Sequence, residues 1–218
     1  MLTTPKVAVD VIVFTVREET LQVLLVQLKT PPYAGLWAFP GGSVPHGEST
    51  EVAATRYLFE TTGVKDVYLE QLYTFSNPRR DPHGHVVSVA YVALVNRARM
   101  SLRVPGKCDN IDWFPVTTPP TLAYDHAEML EYALQRLRWK LEYTNIVYSL
   151  LPRDFTLTEL QRVYETILDR PLDKRNFRKK MLSLGMLHAT PRMVKVGAHR
   201  PARLYRFRHR TPMIIEVL

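Results

Sequence analysis

At 218 residues, 46% of them hydrophobic, the chain is long enough for one large or two modest domains with real cores, and no long segment has a disordered composition. A single cysteine, Cys108, excludes an internal disulfide and suits a reducing compartment; Asp10 breaks the apolar run Val7 to Val16 well short of a membrane span, and Met1 starts no signal peptide, so a cytoplasmic protein is expected. The formal charge of +8 is uneven: residues 1–138 hold 13 Lys/Arg against 14 Asp/Glu, a net −1, whereas residues 139–218 hold 16 against 7, a net +9, which points the last third at a polyanion, nucleic acid before membrane.

Val7 to Thr15 alternates and is rich in β-branched residues, Arg17-Glu18-Glu19-Thr20 is a polar turn, and Leu21 to Leu28 is a second apolar run, which together predict a hairpin. Lys29 to Leu36 reads as loop and leads through Trp37 to Ala38-Phe39-Pro40-Gly41-Gly42. From Gly42 onward, Glu48, Arg56, Leu58, Glu60, Gly63 and Val64 fall at the spacing G-x5-E-x7-R-E-U-x-E-E-x-G-U, with U aliphatic. This stretch closely resembles a Nudix box. Ser49 or Thr50 is placed to cap its helix, and Gly63 to end it in a left-handed conformation.

Nudix hydrolases use this loop-helix-loop to hold a divalent metal against a diphosphate, and the resemblance assigns the metal-binding carboxylates to positions 57, 60 and 61. At i, i+3 and i+4 these share one helical stripe. Here they are Tyr57, Glu60 and Thr61, and Arg56 is placed to pair with Glu60. The box is therefore expected to survive as architecture and not as catalyst, with no catalytic residue, no metal site, no required cofactor and at most weak Mg2+ binding. The retained pocket is expected to take a nucleotide: Arg79 and Arg80, in the Ser76 to Gly84 loop, reach a diphosphate, Arg56 and Glu60 lie nearer the box, and Trp37 or Phe39 offers a ring face to a base.

Val67 to Phe75, His85 to Val95 and Ile111 to Val116 read as further strands, completing what an α/β/α Nudix sandwich requires. His83-x-His85 lies in a polar loop without a zinc-type partner set. From Asp125 the period changes to helical: Asp125 and Glu128 resemble a capping box, and Met129, Ala133, Leu134, Leu137 and Leu141 repeat on one face. The domain boundary is placed near residue 140, giving units 1–140 and 141–218.

Thr144 to Leu151 is expected to continue helically until Pro152. Thr156-x-x-Glu159 is a capping box with Phe155 and Leu160 as its staple, and Leu160, Val163, Tyr164 and Ile167 form a buried stripe. After Asp169-Arg170-Pro171, Asp173 caps a second helix whose Phe177, Met181 and Leu184 face inward, leaving Arg175 and Lys179 opposite, flanked by Asn176, Arg178 and Ser183. Arg, Lys and Asn are the side chains that pair with guanine and adenine edges in a major groove. Met193 to Val196 and Leu204 to Phe207 read as a hairpin with a basic tip, Gly197-Ala198-His199-Arg200-Pro201, and Arg203 beside it. The whole is a small α+β winged helix-turn-helix, expected to bind duplex DNA through Arg175, Asn176, Arg178, Lys179, His199, Arg200 and Arg203; RNA is less favoured because no aromatic platform for unpaired bases is visible.

A Nudix-like domain with a damaged box fused to a C-terminal winged helix resembles the Nudix-related transcriptional regulators of NAD metabolism, across essentially the whole chain. The resemblance implies a bacterial homodimer that represses NAD synthesis or salvage genes from a palindromic operator and senses ADP-ribose or a related NAD breakdown product; some members control sugar catabolism instead. Two other readings stay open at this point: an active ADP-ribose hydrolase drawing on Glu48, Glu51 and Glu60, and a constitutive DNA-binding protein whose Nudix domain only dimerises.

Overall fold

The alternation of Val7 to Thr15 becomes the spine of the structure. A computed structural model describes residues 4–65, 67–96, 98, 100–195, 201–215 and 217. β1 (Lys6–Arg17) and β2 (Thr20–Leu28) form the expected hairpin, turning through Glu18 and Glu19 at φ 49° and 58°, the sign pattern of a tight I′ turn. Two short strands, β3 (Trp37–Ala38) and β4 (Gly41–Ser43), carry the glycine turn into α1 (Thr50–Thr62). β5 (Tyr68–Phe75), β6 (Val86–Leu94) and β7 (Cys108–Pro115) precede α2 (His126–Tyr143).

The sheet runs in the order β3-β2-β1-β6-β5, with β4 added to β1 and β7 to β2; β1 and β6 are parallel. Period two sends Val9, Val11 and Val13 to one face, where Ala53, Ala54 and Leu58 of α1 cover them, and Ile12 and Phe14 to the other, where Met129, Ala133 and Leu137 of α2 do so. This is the expected α/β/α sandwich. Asp10 lies in the same phase as Ile12 and Phe14, which brings a carboxylate beneath the start of α2.

The ends of α1 are as the sequence predicts: the Ser49 hydroxyl accepts from the Val52 N–H at 3.3 Å, and Gly63 closes the helix at φ 67°. The start of α2 is not. Asp125 makes no side-chain capping bond, because both its oxygens are taken by Arg80. Nor does the helix run on through Thr144: that residue is extended at φ −142° and ψ 165° and bridges to Ile214, and only a 3-10 turn, Ile146–Ser149, follows. The C-terminal segment explains the break, since the Asn145 side chain donates to the Thr211 carbonyl and accepts from the Met213 N–H, while Ile215 and Val217 bond back to Tyr143 and Glu142.

Beyond this junction β8 (Phe155–Thr156), α3 (Leu157–Leu168), α4 (Lys174–Ser183), β9 (Leu187–Val194) and β10 (Ala202–Phe207) build a winged helix on a three-stranded sheet ordered β8-β10-β9. The Thr156–Glu159 capping box forms in full. β9 begins six residues earlier than the sequence predicts, because Leu187 to Ala189 pair with β10 beyond a register shift between Arg203 and Tyr205, and β8 is a strand too short to show periodicity. The turn between α3 and α4 is held by Glu165, which accepts from the Leu172 N–H at 2.8 Å, and Gln161, which donates to the Leu172 carbonyl at 3.0 Å.

One buried cluster runs from the sheet through α2 into the winged helix, joining Phe14, Met129, Leu137 and Leu141 to Ile146, Leu160, Tyr164 and Phe177. Arg138 on α2 donates to the Ile167 carbonyl at 3.0 Å and Asn96 to the Leu150 carbonyl at 3.1 Å. α2 is thus shared packing for both units. Among the described residues no helix is long and apolar enough to cross a membrane.

Candidate functional site

A cleft of about 280 Å³ opens between β1, β4 and the loop after β5, lined among others by Lys6, Asp10, Phe39, Gly42, Arg80, His83, Lys107, Tyr124 and His126. At its floor is a buried polar network. Arg80 donates through Nε and Nη2 to the two oxygens of Asp125 at 2.8 and 2.6 Å, and its Nη2 lies 3.6 Å from Asp10 Oδ2. The Ser88 hydroxyl donates to the same oxygen at 2.6 Å, and His126 Nε2 lies 3.5 Å from Asp10 Oδ1.

His126 Nδ1 accepts the Phe39 backbone N–H at 3.0 Å, which requires that nitrogen to be bare and leaves Nε2 to carry the proton toward Asp10. Burial alone pushes the Asp10 carboxyl up, but His126, Ser88 and Arg80 together hold it below its ordinary value. The glycines of β4 make room for this packing: a Cβ on Gly41 would meet Asp10 Oδ1 at 2.8 Å, and one on Gly42, at φ 154°, would meet the Tyr57 hydroxyl at 2.6 Å and Lys107 Nζ at 2.8 Å.

At the box helix Arg56 turns to Glu48 more closely than to Glu60, donating to Glu48 through Nε at 3.0 Å and Nη2 at 2.7 Å, with Glu60 at 3.4 Å. The Tyr57 hydroxyl donates to the Ser43 carbonyl at 3.1 Å, and its ring has the Arg56 guanidinium at 4.3 Å and Lys107 Nζ at 4.9 Å. Thr61 is buried and spends its hydroxyl on the Tyr57 carbonyl of its own helix at 2.7 Å. These side chains do not fit a divalent cation: the stripe offers one carboxylate, already shared with Arg56, and among the described residues no group of three or more His, Cys, Asp or Glu is arranged to hold a metal.

Of the side chains expected at a ligand, Arg80 and Phe39 line the cleft, Phe39 buried and stacked on His126 with ring centroids 4.7 Å apart. Trp37 packs edge-on against Phe114, Arg79 is exposed with its backbone N–H donating to the Asn77 side chain, and Arg56 and Glu60 lie at the outer face of α1 beside the box. Asp10, Ser88, Asp125, His126, Tyr124, Lys6 and Lys107 were missed. Only Asp10 carried a signal, as an acid inside a β-branched run; the others are brought together by register and by α2.

On the winged helix, Asp173 accepts from the Asn176 N–H at 2.8 Å and starts α4 so that Phe177 and Met181 are buried. Lys174, Arg175, Asn176 and Lys179 are exposed on it. Arg178 is drawn back, half-buried, donating to Thr158 on α3 at 3.0 Å. Arg203 is exposed on β10, and His199 and Arg200 lie outside the described residues.

Residues 4–133 match the NUDIX domain family and residues 147–207 the NrtR DNA-binding winged helix domain family. The "ADPR responsive transcriptional repressor NtrR" of Acinetobacter baylyi is 38% identical over 207 residues, covering 93% of this chain and 82% of the relative. The crystal structure of Shewanella oneidensis NrtR complexed with a 27mer DNA is similar at TM-score 0.82 and 34% identity over 93% of each chain. The NUDIX domain of that protein complexed with ADP ribose is similar at TM-score 0.55 and 35% identity, over 62% of this chain and 90% of that one. The chain therefore belongs to the NrtR family, in which a NUDIX domain is joined to a DNA-binding winged helix.

Proposed function

We propose that this protein is a cytoplasmic, ADP-ribose-responsive transcriptional repressor of NAD metabolism genes, acting as a homodimer on a palindromic duplex operator and without catalysis. The observation that carries the reading is the fusion itself: a winged helix with Lys174, Arg175, Asn176 and Lys179 exposed on α4, packed through α2 onto a cleft whose box presents Tyr57 and Thr61 in place of carboxylates. The sensing unit is residues 1–140 and the DNA-binding unit residues 141–218. Arg80 is assigned to the ligand's diphosphate, with Phe39 in the cleft wall; Arg175, Asn176 and Lys179 read bases, while Arg203, Arg200 and His199 hold phosphate.

Signal passes through α2. Its N-cap residue, Asp125, holds Arg80 at the cleft floor, and its length reaches the winged helix, so a small rotation at the cleft changes the spacing of two recognition helices, about 34–36 Å for half-sites one duplex turn apart. The test is a gel shift on a duplex selected from the source genome. ADP-ribose should release it, and ADP-ribose should survive incubation with protein and Mg2+. Turnover at an ordinary enzyme rate, on the order of 1 per second, would instead establish a hydrolase.

A further inference from the structure

We propose that the ammonium of Lys107 takes the place of the divalent cation of Nudix hydrolases, so that this cleft binds the diphosphate of a nucleotide effector without metal. The inference rests on the effector reading above and adds the group that neutralises the ligand's charge. A diphosphate carries negative charge that water or a cation must balance, and the box helix cannot recruit a hard cation, since its one stripe carboxylate, Glu60, lies beside Arg56 and Tyr57 fills the space next to Gly42.

Into that space comes Lys107, from the turn before β7. Its Nζ donates to the Gly41 carbonyl, stands 4.9 Å from the Tyr57 ring centroid and reaches the same cleft as Arg80 and Lys6. The contact with Gly41 and the ring fixes a side chain that is otherwise long and free, and an ammonium has three donors, of which Gly41 takes one. Among the described residues Lys107 forms no ion pair, whereas Arg80 is balanced by Asp125 and Asp10. Lys6 at the same cleft is likewise unpaired among the described residues, but it is Lys107 that stands against Gly41, Gly42 and the Tyr57 ring, where the box would hold its cation. Gly42 keeps the ammonium close to the backbone, because a Cβ there would lie 2.8 Å from Nζ.

The experiment is calorimetric titration of the full-length protein with ADP-ribose, in EDTA and in Mg2+, for wild type, Lys107→Ala, Lys107→Arg and the control Lys29→Ala, whose lysine pairs with Asp109 and does not itself line the cleft. Wild type is expected to bind equally in both buffers, Lys107→Ala about tenfold or more weaker, roughly 1.4 kcal/mol, and Lys107→Arg between the two, while Lys29→Ala matches wild type. Binding by wild type that Lys107→Ala retains, or that EDTA abolishes, overturns the inference and leaves the effector reading standing. No binding by wild type in either buffer overturns both.

Discussion

Replacing Arg80 by methionine tests the cleft floor as a structural unit. The Arg80 side chain is 4% exposed, against 15% for Asp125 and 12% for Asp10, and it is the cation between them. Its removal leaves Asp125 without its cation and takes one of three partners from buried Asp10, and breaking a buried pair in this way costs about 3–5 kcal/mol. Set against a domain stability of about 5–15 kcal/mol, that is roughly a fifth or more of the total. Replacing Arg80 with Met and Asp125 with Leu together should cost less than Arg80→Met alone, because an apolar pair of similar volume leaves only Asp10, still held by Ser88 and His126.

The pH dependence follows from Asp10. Its folded carboxyl lies below its ordinary 3.8, so its contribution to stability is complete above that value and is lost as pH falls through the lower folded value. Arg80→Met weakens the pull on Asp10 and should move acid unfolding to higher pH. Urea denaturation of full-length protein across the acid range measures both effects. An Arg80→Met protein within about 1 kcal/mol of wild type, with the same acid limb, would refute the reasoning.

Other substitutions probe the DNA-binding unit. Thr156→Ala removes the acceptor of the α3 capping box and should cost about 1 kcal/mol of stability by the same denaturation assay. Arg175→Ala, Asn176→Ala and Lys179→Ala should each weaken operator binding by about 1–3 kcal/mol and relax preference at one base position, read by anisotropy on single-site operator variants. Arg203→Ala should weaken all duplexes alike and reduce the salt slope by about 1; a loss confined to one sequence would mean that the wing reads bases.

Punctuation made much of this architecture legible. Ser49, Gly63, the Thr156–Glu159 box and Asp173 act within one turn of chain, so their chemistry is local and visible in the sequence. Strand alternation likewise separated the faces covered by α1 and α2. The cleft floor was different in kind: Asp10, Arg80, Ser88 and His126 come from separate elements, and Asp125 looked like a helix cap because nothing local reveals a guanidinium 45 residues upstream. The same limit hid the break at Thr144, which is imposed by Asn145 and the returning C-terminal segment, and it hid Lys107, whose place beside Gly42 depends on the pairing of β7 with β2.

The central claim is that ligand and DNA are coupled through α2, and the most direct measurement is the affinity of ADP-ribose for the full-length protein with and without saturating operator. Coupling free energy is reciprocal, so an effector that weakens operator binding about tenfold, roughly 1.4 kcal/mol, must itself be weakened about tenfold by operator. The account predicts that weaker binding in the presence of DNA. Equal affinities in the two conditions would contradict it.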